Sequence, residues 1–389
     1  MDAGTWTLMD VDRDVFVENL ELGPRQLGPA AGGCVVSLRT LRGGLRDGLQ
    51  LLEVSNGALR VAVLPGRGMG IWKIWHGGDE IGWRSPVKGP VHPRYVPLME
   101  PSGLGWLDGF DELLVRCGLS SFGAPDFDAK GQLLWPLHGR IANLPAHQLT
   151  VAVDAKSGEI VVTGVVDESR FHFQKLRLTS TLRLLPGEPN VQIQDVVENR
   201  GGNPADTQLL YHVNFGEPLL APGSKVAVPA VEISPRDAVA AAGLPQWDVF
   251  GPPKLGSKES CYFFNLRGDR NGATEVLLKN PKSERGVSLR YNTKQMPCFS
   301  LWKNTPAKVD GYVTGLEPGT GFPNTRTHEA GQKRVVTLKP GGQAKYDLTL
   351  RYHPDAEAVA AAEKDVARLA GTSSPKVHKE PKPGWTVPG

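Results

Sequence analysis

The sequence predicts a mainly β protein, a large antiparallel β-sandwich closed by one short C-terminal helix. Three observations carry this. Short β-branched segments alternate apolar and polar residues with the strand period of two. Turn residues recur between them, with 46 Gly and 32 Pro in 389 residues, and stretches such as LPGEPN and KPGGQ favour antiparallel hairpins over βαβ units. The chain also lacks a Rossmann- or P-loop-type glycine motif, a heptad run and a repeat of fixed period.

Along the chain, strands are expected at LRVAVLPGR (59–67), EIVVTGVV (159–166), LRLTSTLRLL (176–185) and NVQIQDVVEN (190–199), then at TEVLLKN (274–280), VSLRYN (287–292), RVVTLKPGG (334–342) and AKYDLTLRYH (344–353). No linker-like shift in composition divides them, so residues 1–354 are expected to form one sandwich domain. DAEAVAAAEKDVARLAG (355–371) is built of good helix formers, with Asp355 placed to cap the start and Gly371 to stop it. The remaining 372–389, TSSPKVHKEPKPGWTVPG, is polar and Pro-rich and predicts a poorly ordered tail.

Composition narrows the function. Hydrophobic residues make up 40% and charged residues 22%, the balance of an ordinary globular protein. A net charge of +3 without a Lys/Arg block gives no basis for nucleic-acid or membrane-surface binding. Cys34, Cys117, Cys261 and Cys298 are widely spaced with no CxxC pair, which argues against structural zinc and a disulfide scaffold and for free thiols in a reducing compartment. The start MDAGTWTLMDVDRDVF has no signal-peptide pattern, and no apolar run is long enough to span a bilayer, so a cytoplasmic location is expected.

Three stretches carry groups suited to proton transfer: WPLHGRIANLPAH (135–147), LLYHVNFGEPLL (209–220) and VTGLEPGTGFPNTR (313–326). His212 follows an apolar run and reads either as a core histidine or as an acid/base at a strand end. His138 and Arg140 share one loop, either as surface turn residues or as partners for hydroxyl or anionic groups. Glu317 ends an apolar run just before Pro318 and Gly319, which would hold a carboxylate at the mouth of a sheet. Trp302 and Trp135 offer flat faces for a sugar ring, or simply core. Arg67 in LPGRGMG and Arg116 in LVRCGL each read as a binding arginine or as half of an internal ion pair. A metal site at His138, His147 and His212 fits no compact ligand spacing.

These pieces, taken in order, resemble the galactose mutarotase-like superfamily, which includes the aldose 1-epimerases. LHGRIAN is similar to the loop bearing a sugar-contacting histidine, YHVNFGEP to the strand bearing a second histidine, and GLEPGTGFPN to the strand and turn bearing the catalytic glutamate. LPGRGMGI, RCGL and the Gly-Trp and Ser-Pro pairs of GWRSP resemble a bacterial branch known as a domain of unknown function. The histidine of YHVNFGEP is displaced relative to the Phe/Asn pair of characterised mutarotases, and Arg67 or Arg140 would stand in for an early Asn-Arg contact motif. The resemblance implies a supersandwich fold and anomer interconversion of a monosaccharide or sugar derivative without a cofactor or metal. Glu317 would be the base and His212 the acid, on opposite sides of the anomeric centre. His138, Arg140, Arg67 and Arg116 would bind the sugar, with Trp302 as a wall. Two rival functions are a non-catalytic carbohydrate-binding protein and a metal-assisted lyase or isomerase acting on an acidic or oxidised sugar.

Overall fold

Period-two alternation resolves into two stacked antiparallel sheets in the computed structural model, which describes residues 4–387. The first sheet has ten strands, and three of its long ones lie side by side at Ile160–Ser169, Lys175–Leu184 and Asn190–Asn199. Their buried positions, among them Val162, Leu178 and Ile193, face Leu52, Val54 and Val63 of the second sheet in one continuous core. The other face of these strands is open to water, which is why they read as alternating. RVVTLKPGG yields only a short strand, Val336–Leu338, paired with the start of Ala205–Phe215.

The second sheet has fourteen strands, and the part that matters for function runs Ser260–Leu266, Cys298–Asn304, Val313–Gly319, Ala205–Phe215, Leu114–Leu119 in spatial order. Val313–Gly319 is buried at every position, and so is most of Ala205–Phe215. One face of these strands packs on the first sheet, while the other is roofed by loops carrying Trp106, Phe110 and Phe122. Burial on both faces removes the alternation and replaces it with apolar runs.

The C-terminal helix forms at Ala356–Ala370, its first turn capped by Asp355, which accepts from the Ala358 N–H at 2.8 Å. Ala362 and Val366 pack on Leu277. The tail after Gly371 differs from expectation: it is docked. Lys376–Val377 adds a parallel strand to Ala230–Pro235, His378 N donates to Ile233 O at 2.9 Å, and Trp385 packs on Phe322 with ring centroids 4.9 Å apart. Its own apolar content is low, but the body supplies a free sheet edge, the Phe322 face and the Glu232 carboxylate, which Lys382 and His378 both meet. All four cysteines are buried and free. Among the described residues no helix is long and apolar enough to cross a membrane.

Candidate active site

Sheet register brings His212 and Glu317 together. Leu210 pairs with Gly319 and Val213 with Leu316, so His212 stands directly opposite Glu317 on the neighbouring strand. Both side chains rise from the face turned away from the first sheet, and His212 Nε2 lies 3.3 Å from Glu317 Oε1. Asn214, two residues along on the same face, fixes the imidazole. Its amide nitrogen donates to the carbonyls of Glu112 and His212 at 3.0 and 3.2 Å. The amide oxygen is therefore the atom 2.6 Å from His212 Nδ1, and that nitrogen carries the proton. Nε2 is left with its lone pair turned toward the glutamate. Gly315 makes room for this arrangement, since a Cβ there would lie 2.6 Å from Glu317 Oε1 and 3.1 Å from His212 Cε1.

His138 arrives from the loop over this sheet. It takes a left-handed conformation at φ 56°, and Gly139 follows at φ 74°. A non-glycine residue holds such a conformation only when its surroundings insist. Here the backbone is pinned by His138 N donating to Gly123 O at 2.9 Å and by Gly118 N donating to His138 O at 3.2 Å. The result places the His138 ring edge-on to His212 at 5.3 Å and against Trp106 at 4.6 Å. Phe110 and Trp302 approach His212 edge-on at 5.3 and 5.4 Å. Together these residues line a cleft of about 290 Å³ with the His212–Glu317 pair at its floor, near the small end of the range for ligand sites. Glu317 Oε1 and His138 Nδ1 are buried without a hydrogen-bond partner among the described residues. Buried polar atoms in that condition are rare and call for an explanation, a catalytic role being one.

Burial sets the proton affinities. It pushes the Glu317 carboxyl up to about 8, with the charge of Glu259 adding to the rise and Arg236 opposing it. It pushes His212 down to about 4 against the opposing hydrogen bond to Asn214. His138 is held well below its ordinary value, first by burial and then by His212. The pair thus carries one proton across the neutral range and can give or take it at an adjacent oxygen. At the mouth, Glu259 binds the Trp302 indole N–H at 2.7 Å and Arg236 at 2.8 Å, and Arg236 also meets Asp237.

The other arginines serve the scaffold. Arg67 is buried against Glu112, with its remaining nitrogens on Val91 O, Asn143 Oδ1 and Gly109 O at 2.9–3.0 Å. It ties together the loops that carry the site and has no nitrogen left for a ligand. Arg116 is one register step from Val115, which faces His212, so it points the opposite way, into the core. There it pairs with Asp195 and donates to Ser180 and Met69 O. Arg140 lies outside the cleft lining, because the two left-handed residues before it turn the chain away. Trp135 belongs to a small hairpin, and His147 sits 3.3 Å from Asp167, so neither joins the cleft. Among the described residues no cluster of three or more His, Cys, Asp or Glu is arranged to hold a metal ion. Sequence reasoning missed Trp106, Phe110, Arg236 and Glu259: Arg236 and Glu259 reach the cleft through the register of Cys261 with Trp302 and Trp302 with Gly315, and Trp106 and Phe110 through the loop that leads into Leu114–Leu119.

A family model described as Domain of unknown function (DUF4432) matches residues 46–352. The chain belongs to the DUF4432 family. A candidate aldose 1-epimerase from Klebsiella pneumoniae, known from its crystal structure, is 34% identical to this DUF4432 chain, with a TM-score of 0.93 over 96% of this chain and 97% of that one. A galactose mutarotase-like protein from Clostridium acetobutylicum is 15% identical, with a TM-score of 0.55 over 81% of this chain and 98% of its own. Galactose 1-epimerase from Lactobacillus acidophilus is 16% identical, with a TM-score of 0.53 over 82% and 98%. The last two share the fold alone, and that fold is the galactose mutarotase-like β-sandwich. No curated protein matches the sequence.

Proposed function

We propose that this DUF4432 protein interconverts the anomers of a monosaccharide, an aldose 1-epimerase reaction carried out by Glu317 and His212. The observation that carries the reading is the in-register pair itself, 3.3 Å apart at the floor of an aromatic-walled cleft. O1 and O5 are both bonded to C1, so the groups that serve them need to be neighbours. Their positions on adjacent strands, 3.3 Å apart, are consistent with both reaching these oxygens. In the ring-opening direction the pair's proton first passes from the Glu317 carboxyl to His212 Nε2 across their 3.3 Å contact; Glu317 then takes the proton from the O1 hydroxyl, the C1–O5 bond breaks, and His212 delivers the Nε2 proton to O5. The C1–C2 bond of the open-chain aldehyde rotates, and closure on the other face returns both protons by the reverse transfers. The pair ends with the single proton it started with, and the chemistry calls for no cofactor. His138 Nδ1 is positioned to bond a ring hydroxyl, and Trp302 offers a face to the ring. The four buried free thiols suit a reducing cytoplasm.

Glu317→Gln keeps the shape and one acceptor but removes the proton-accepting group. Anomer exchange measured by polarimetry or saturation-transfer NMR should fall about 100- to 10,000-fold while sugar binding persists. His212→Asn should act similarly. An equally fast Gln variant sinks the mechanism, and a wild-type protein that binds sugars without accelerating exchange favours the binding-protein reading.

A further inference from the structure

The two sides of the cleft differ in chemistry. On one side stand Trp302, Glu259 and Arg236, whose polar atoms meet at 2.7–2.8 Å. The other side presents the apolar side chains of Leu104, Leu107, Ala124, Pro125, Leu137 and Pro323. These residues come from four loops that touch one another. A Cβ on Gly103 would lie 2.8 Å from Pro125, Leu137 N donates to Gly103 O at 2.9 Å, and a Cβ on Gly123 would lie 2.6 Å from the Pro323 backbone.

Several backbone groups along this wall are already bonded. Gly123 O accepts from His138 N, Gly103 O from Leu137 N, Leu104 O from Leu107 N and Leu107 O from Phe110 N. Leu104 N donates to the Glu100 carboxylate at 2.7 Å. A hydroxyl pressed against these side chains would gain no partner from them. A methyl or methylene group would bury apolar area there instead.

We propose that the substrate is a deoxy aldose, a sugar in which hydrogen or a methyl group replaces a hydroxyl on the edge that faces this wall. The proposal rests on the anomer-exchange reading and deepens it. His138, Glu259 and Arg236 serve the remaining hydroxyls, while the wall selects against a fully hydroxylated ring.

Matched pairs test it: 2-deoxy-D-glucose against D-glucose, and L-fucose against L-galactose, each followed by saturation-transfer NMR. In at least one pair the deoxy member should show kcat/KM about 10- to 100-fold higher, the discrimination an apolar pocket achieves against an added hydroxyl. Leu107→Asn, at a position 44% exposed and therefore tolerant of the change, should narrow that ratio by raising kcat/KM for the hydroxylated member. Equal or better use of the hydroxylated sugar in every pair overturns the proposal. If no sugar exchanges faster than in buffer, the anomer-exchange reading fails, and ligand-observed NMR of the same pairs then decides separately. Tighter binding of a deoxy member retains the apolar wall as the selector, and equal or weaker binding removes it.

Discussion

Glu317 and His212 share one proton over a wide pH range because burial drives their affinities apart, to about 8 and about 4. The form with one proton on the pair is the one that can both take and give. Below about 4 His212 is protonated as well and no base remains, whereas above about 8 Glu317 has lost the proton and no acid remains. A plot of kcat/KM against pH should therefore be a bell with limbs near these values. An acidic limb at an ordinary carboxylate value joined to an alkaline limb at an ordinary histidine value would contradict the burial. The space beside the pair is equally tight. Gly315→Ala puts a methyl group within 2.6 Å of Glu317 Oε1 at a residue whose backbone is not left-handed. Because small misplacements cost catalysis more than stability, exchange should slow by about 10- to 100-fold with little change in Tm. A parallel loss of Tm and rate would instead mark Gly315 as a packing residue.

The helix at Ala356–Ala370 and the long hairpin strands were legible because their information is local: a cap, a stop, a period of two. The tail was not. Its partners, Ile233, Glu232 and Phe322, lie far away in sequence, and composition cannot register a docking surface. The docked tail also braces the segment that follows the Glu317 strand. Asn324 Nδ2 donates to Trp385 O at 2.9 Å and Arg334 to Gly384 O at 2.8 Å, while Pro323 between Phe322 and Asn324 lines the cleft. Truncation after Gly371 should therefore lower Tm by several degrees and reduce kcat/KM, with Trp385→Ala producing part of both effects. Unchanged melting and exchange in the truncated protein would show that these contacts carry no weight.

At the scale of the whole molecule the site depends on two sheets being held in a fixed relation, and Arg116 shows how. The segment LVRCGL is buried at every position, so it shows no alternation from which to read the direction of Arg116. Pairing with Tyr211 decides it, and both side chains turn inward to Asp195 on the first sheet, with Tyr211 Oη donating at 2.8 Å. The same limit hid Arg67, whose partners come from three separate loops. His138, His212 and Glu317, by contrast, were legible as chemical types beside turns, and only their convergence needed the fold. An ion pair with both side chains fully buried is costly to half-remove, since the surviving charge stays desolvated. Arg116→Met should lower stability by about 3–5 kcal/mol in urea unfolding, and adding Asp195→Leu should recover much of that loss. In the folded fraction KM and the pH limbs should stay as in wild type, because Arg116 never reaches the cleft. A raised KM with unchanged stability would return Arg116 to the sugar-binding role that its sequence position left open.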